Sequence, residues 1–67
     1  MDREVIKSSN IRSAGYDKES QTLEVEFASG AVYRYKNVPQ QIYNEFNTAS
    51  SKGKYFAKNI KHRFKFG

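Results

Sequence analysis

Thr22-Leu23-Glu24-Val25-Glu26-Phe27-Ala28-Ser29-Gly30-Ala31-Val32-Tyr33-Arg34-Tyr35-Lys36 is the stretch that decides the fold of this 67-residue chain. Polar and apolar residues alternate from Thr22 to Phe27, the period of a half-buried strand. Ala28-Ser29-Gly30 follows as a three-residue loop, with Gly30 at the position where a left-handed residue and a bulge are usual. Ala31 to Lys36 then returns as the partner strand. Side-chain chemistry fixes the register, because a slip of one residue would turn every side chain to the other face. With Phe27 opposite Ala31, Val25 faces Tyr33 and Leu23 faces Tyr35, so the apolar groups share one side. On the other side Glu24 meets Arg34 and Glu26 meets Val32, pairing opposite charges.

Upstream, Ile11 to Tyr16 reads as a third strand, joined to the hairpin by the polar turn Asp17 to Gln21. Ile11, Ala14 and Tyr16 cannot all face one way in a regular strand, and a bulge near Gly15 would reconcile them. Residues 1–9 are either flexible or supply an edge strand from Arg3 to Ile6. Downstream, Asn37-Val38-Pro39 reads as a helix entrance with Pro39 at the first helical position. Val38, Ile42, Phe46 and Ala49, with Tyr43 beside them, make an apolar helical stripe opposite Gln40, Gln41, Asn44, Glu45 and Asn47. Ser50 to Gly53 breaks that helix, and a second helical pattern runs from about Lys54 to His62.

Strands followed by helices favour an α+β domain, here a three-stranded antiparallel β-meander followed by two α-helices packed on one face. The alternative is a small SH3-like barrel with the helices as appendages. Residues 1–67 form a single domain in either case, and a chain this short folds with only roughly 60% of its unfolded surface buried, leaving no room for a deep substrate cavity. The mean hydropathy of -0.87 leans toward disorder. Ten periodically placed Tyr and Phe residues argue instead for a folded chain. There is no cysteine and a single histidine, so a disulfide framework and a thiolate metal site are both excluded. No apolar run approaches the ~18 residues of a membrane span, and the N-terminus lacks the apolar stretch of a signal peptide, so a cytoplasmic protein without a membrane partner is expected.

The charge is unevenly divided. Residues 1–33 hold four Lys/Arg against six Asp/Glu, a net -2, whereas residues 34–67 hold eight against Glu45 alone, a net +7. A basic half of this kind attracts polyanions, nucleic acid first among them. On the second helix, Lys54, Lys58, Lys61 and Lys65 fall within an arc of about 60° at 100° per residue, opposite Phe56, Ala57, Ile60 and Phe64. Such a row can track phosphates, whose neutralisation releases counterions. The plain alternative is a solvated helix face. If the chain turns extended after His62, the row loses Lys65 and keeps Lys54, Lys58 and Lys61. Arg63 belongs with this group, and Lys52, Arg34 and Lys36 stand at its margin.

Nothing in the sequence requires catalysis or a cofactor. Gly53-Lys54 lacks the earlier glycine and the following Ser/Thr of a phosphate-binding loop, and helix capping by Ser50 or Ser51 is the stronger reading of that segment. His62 lies between Lys61 and Arg63 with no nucleophile pattern beside it and reads as exposed. Glu24 has Arg34 as its expected neighbour, so a structural ion pair outweighs an acid/base role. Tyr33 and Tyr35, two rings on one strand face, either stack unpaired bases or belong to the core with their hydroxyls at the rim, and the register favours the core.

Taken in order, Ser8-Ser9-Asn10-Ile11, Gly15-Tyr16-Asp17, Leu23 to Phe27 with Ser29-Gly30, Tyr33-Arg34-Tyr35, Val38-Pro39, and Ser51-Lys52-Gly53-Lys54-Tyr55-Phe56 with Ile60 resemble the KTSC domain. That family is named for the C-terminus of some lysyl-tRNA synthetases and occurs also as a small free-standing bacterial or phage protein. Tyr33 and Tyr35 match its Tyr-x-Tyr centre. The resemblance implies RNA, tRNA included, as the polyanion, and supplies no catalytic residues. The expected function is therefore a non-catalytic nucleic-acid-binding accessory domain that prefers RNA to DNA. The alternative is a protein-interaction module docking on an acidic partner or through a free β-edge.

Overall fold

Because Leu23 and Val25 must leave water while Glu24 and Glu26 are met by arginines on the other side of the sheet, the strand that carries them needs an apolar cover on one face only, and the chain supplies it with two helices. The computed structural model describes residues 3–64. Four strands, β1 (Glu4–Val5), β2 (Ile11–Asp17), β3 (Thr22–Phe27) and β4 (Val32–Tyr35), pair antiparallel in the order β1-β2-β3-β4, followed by α1 (Gln40–Thr48) and α2 (Lys52–Asn59). The fold is α+β, with one strand more than the three-stranded meander expected. The added strand is the edge strand anticipated between Arg3 and Ile6. Since β1 and β4 stand at opposite edges, the sheet is open and does not close into the SH3-like barrel of the alternative reading.

The β3–β4 hairpin has the expected register throughout, with Leu23 opposite Tyr35, Glu24 opposite Arg34, Val25 opposite Tyr33 and Glu26 opposite Val32. Its loop is closed by Phe27 N donating to Ala31 O at 2.8 Å and Gly30 N donating to Phe27 O at 2.9 Å. Gly30 has φ +96°, a conformation that side-chain-bearing residues rarely adopt. In β2 the irregularity lies at Arg12, where the pairing jumps from Ile11–Phe27 to Ser13–Glu26, and not near Gly15. The bulge puts Ile11, Ala14 and Tyr16 on the core side as required. It also turns Arg12 outward, where its guanidinium donates to Ala28 O at 3.2 Å.

Helix α1 starts one residue later than expected, Pro39 being the N-cap with ψ 150° and Gln40 the first helical residue. Its entry is tied to the sheet by Val38 N donating to Gln21 O at 2.8 Å and by the Tyr16 hydroxyl donating to Val38 O. The core is Ile11, Ala14, Leu23, Val25, Tyr35, Val38, Phe46, Phe56 and Ile60, with Phe46 the largest fully buried side chain. Tyr16 stacks on Tyr43 with ring centres 4.7 Å apart, and Tyr43, Phe46 and Tyr55 continue the aromatic layer between sheet and helices. Gly53 packs under the β1–β2 loop, where a Cβ would stand 3.3 Å from Ser8 Oγ.

Two expectations follow from this core. Phe46→Ala should cost about 3–5 kcal/mol. That is a large share of the roughly 3–10 kcal/mol that a domain of this length holds, so circular-dichroism melting should show a broadened transition at much lower temperature. Burial pushes the phenols of Tyr16, Tyr35 and Tyr43 above their ordinary value of 10.0, reinforced by Asp17, Tyr33 and Glu4 respectively. Above that pH the unfolded chain releases these protons while the folded chain keeps them. Their contribution is therefore complete below pH 10.0 and declines as the pH rises toward the folded values. The melting temperature should fall through that window, and tyrosinate absorbance should appear at higher pH in the folded than in the denatured protein.

Candidate nucleic-acid interface

Helix α2 opens on Ser51, whose Oγ accepts from Lys54 N at 3.4 Å, so capping is the role of this serine. One side of the helix buries Phe56, with Ile60 buried just beyond its end and Tyr55 half-buried. The Tyr55 hydroxyl donates to Glu45 Oε1 at 2.8 Å, joining the two helices, and burial followed by this carboxylate raises its pKa, partly opposed by Arg63. Ala57, assigned from the sequence to the apolar side, is exposed. Tyr55 takes the place on the buried side that was allotted to it.

The expected helix to His62 ends at Asn59. Ile60 N and Lys61 N both donate to Phe56 O at 2.9 Å, which closes the last turn, and Arg63 N and Phe64 N both turn back to Ile60 O at 3.1 Å. The lysine row is broken by this turn. Lys54 and Lys58 are exposed on α2, while Lys61, His62 and Arg63 are exposed on the turn after it. Lys52 is half-buried in the first turn, and Lys65 lies outside the described residues. Lys58 sits in the last turn, where the helix dipole favours a cation. Arg63 places its guanidinium 5.8 Å from the Phe64 ring centre. Among the described residues none of these lysines forms an ion pair with a carboxylate.

The turn also brings Lys61 and His62 to the mouth of an open cleft of about 360 Å³ whose walls are Phe27, Tyr33, Tyr35 and Phe56. The rings meet edge to face in one chain. Tyr33 and Phe27 are 5.5 Å apart, Phe27 and Phe56 5.3 Å, and Phe56 and Tyr35 5.3 Å. The two tyrosines divide between the roles considered for them, Tyr35 being 4% exposed and part of the core and Tyr33 36% exposed at the sheet edge. Sequence reasoning missed Phe27, Phe56 and His62 as cleft residues. The hairpin register already put Phe27 on the face of Tyr33, and the helices were expected to pack over one face with Phe56 on their apolar side, but nothing local said that these rings would line a cleft.

Arg34 is not brought to this cleft. It lies on the opposite face of the sheet with its guanidinium 3.4 Å from the buried Glu24 carboxylate. Beside it Glu26 receives Arg3 at 3.8 Å, Arg12 at 4.0 Å and the Ser13 hydroxyl at 2.9 Å. Lys36 is exposed just past β4. Among the described residues no group of three or more His, Cys, Asp or Glu side chains could hold a metal ion, and no helix is long and apolar enough to cross a membrane.

These features define a small α+β domain with a lysine-bearing helix beside an aromatic cleft. The sequence profile of the KTSC domain matches residues 7–64, and the chain belongs to that family. An uncharacterized protein of Stutzerimonas stutzeri is 50% identical over 56 residues, covering 84% of this chain and 79% of that protein. A lysine–tRNA ligase of Nostoc punctiforme is 43% identical over 60 residues, which cover 90% of this chain but 11% of the ligase. The crystal structure of a KTSC domain protein from Yersinia pestis superposes with a TM-score of 0.95 at 36% identity, covering 98% of this chain and 93% of that one.

Ser51→Ala should remove the cap of α2 and cost about 1 kcal/mol. The expected readout is a modest drop in melting temperature with faster amide hydrogen exchange at Lys54, while exchange in β3 keeps its protection.

Proposed function

We propose that this domain is a nucleic-acid-binding accessory module, RNA preferred over DNA, that works without catalysis. The observation that carries the reading is a group of exposed lysines, Lys54 and Lys58 on α2 and Lys61 on the turn that breaks the row, which face no carboxylate partner among the described residues. Arg63 adjoins them and Lys52 stands at the margin. Each would neutralise a phosphate and release its counterions. The preference for RNA is supported by the relative that is a lysine–tRNA ligase and contains a segment similar to this chain. Cytoplasmic placement agrees with a chain that has no cysteine.

A second reading, docking of a protein partner, is favoured by the edge position of β4, where Val32 is 45% exposed. Such an edge can take a further strand from another chain. The lysines separate the two, since a partner added along β4 would not need them.

Fluorescence anisotropy against single-stranded RNA, a tRNA and duplex DNA is the test. Three phosphate contacts give a log–log salt slope of about -2 to -3, which means roughly 20- to 40-fold weaker binding at 200 than at 50 mM salt. Combining Lys54→Gln, Lys58→Gln and Lys61→Gln should leave the melting curve in place and reduce the magnitude of the slope by about 2 to 3. Absence of binding at the lowest salt would sink the nucleic-acid reading and direct the search to protein partners.

A further inference from the structure

A lysine row alone would bind any polyanion, whereas the cleft at its end has a shape and chemistry of its own. We propose that the cleft between β4 and the end of α2 receives one unpaired nucleobase of a single-stranded nucleic acid, with the adjacent phosphate held by Lys61 and His62. This rests on the nucleic-acid reading above and adds to it the part of the ligand that is recognised.

The walls come first. Phe27, Tyr33, Tyr35 and Phe56 line a space of about 360 Å³, at the small end of the roughly 300–1,000 Å³ found for ligand sites. That admits one planar group, not a run of them. Aromatic walls suit a base because every base has a π-face to stack or to meet edge-on, whatever its hydrogen-bonding pattern. Tyr33 is the wall that a ligand reaches from solvent, being 36% exposed, while Tyr35 at 4% forms the inner end.

The rim decides between a base and some other apolar occupant. Lys61 and His62 stand at the cleft itself, and Arg63 is exposed on the same turn. A planar aromatic group attached to an anion fits this arrangement, and a nucleotide is both. A base inside a duplex is stacked on both faces and paired along one edge, and cannot enter a cleft without being extruded. Recognition should thus favour single strands and unpaired ends over duplexes, a preference that a lysine row cannot produce.

The experiment compares a short single-stranded oligouridylate, the same strand with abasic residues, a duplex RNA and heparin, at one salt concentration, on the unaltered domain and on Tyr33→Ala and Tyr33→Phe. The expected result is binding of the oligouridylate about 5- to 100-fold tighter than of the abasic strand. That margin should be lost in Tyr33→Ala and kept in Tyr33→Phe, with heparin affinity the same in all three proteins. Proton NMR of the unaltered domain, which needs no variant to fold, should show ring-current shifts on Phe27, Tyr33 and Phe56 when oligouridylate is added. Equal binding of abasic and base-bearing strands, or shifts confined to α2 lysines, would overturn the cleft site and leave the phosphate reading standing. Failure of every polyanion to bind would overturn both.

Discussion

Strand β3 is the constraint on which the rest depends. It is hydrogen-bonded on both sides, to β2 and to β4, and it places Leu23 and Val25, both with no solvent exposure, at the centre of the face that the helices cover. A sheet with such a face cannot stand uncovered, and the cover has to come from a short chain. The helices meet the requirement with one large anchor each, Phe46 from α1 and Phe56 from α2. Aromatic rings bury far more surface per residue than aliphatic side chains, which is how two helices of nine and eight residues suffice.

Filling a core with rings has a geometric consequence. Rings pack in files, and two files run through this molecule. The file Tyr16–Tyr43–Phe46–Tyr55 is closed at both ends by hydrogen bonds, from the Tyr16 hydroxyl to Val38 O and from the Tyr55 hydroxyl to Glu45. The file Tyr33–Phe27–Phe56–Tyr35 also lines a cleft. One file is scaffold, and the other is scaffold on its inner side and surface on its outer side.

The register of β3 and β4 was legible because both faces voted for it, apolar groups on one and Glu24 with Arg34 on the other. The position of the β2 bulge was not, because a glycine in a strand is a common bulge signal and Gly15 drew the assignment to itself. What selects Arg12 is tertiary. Its outward side chain reaches Ala28 O and comes within 4.0 Å of Glu26, partners invisible from the strand's own sequence. The end of α2 was misplaced for a similar reason. Helical periodicity continues through Lys61, but Ile60 leaves the ideal helix at φ -118° while staying fully buried, and the chain turns around it. That three-residue error matters for the site, because the turn is what carries Lys61 from the lysine row to the rim of the cleft.

The same structure explains why a net charge of +5 is not expressed evenly. On the open face of the sheet the carboxylates of Glu24 and Glu26 are met by Arg3, Arg12 and Arg34, whose planar forks suit carboxylates, so that face is nearly balanced. Lysine, a strongly hydrated point charge, is used where no such partner stands, on α2 and the turn beyond it. The field outside the molecule is then set by the helical side, and Glu45, the one carboxylate of residues 34–67, is turned to the Tyr55 hydroxyl and not to a lysine. On the nucleic-acid reading proposed above, α2 is the side toward which this charge would steer a polyanion, and the cleft adjoins it.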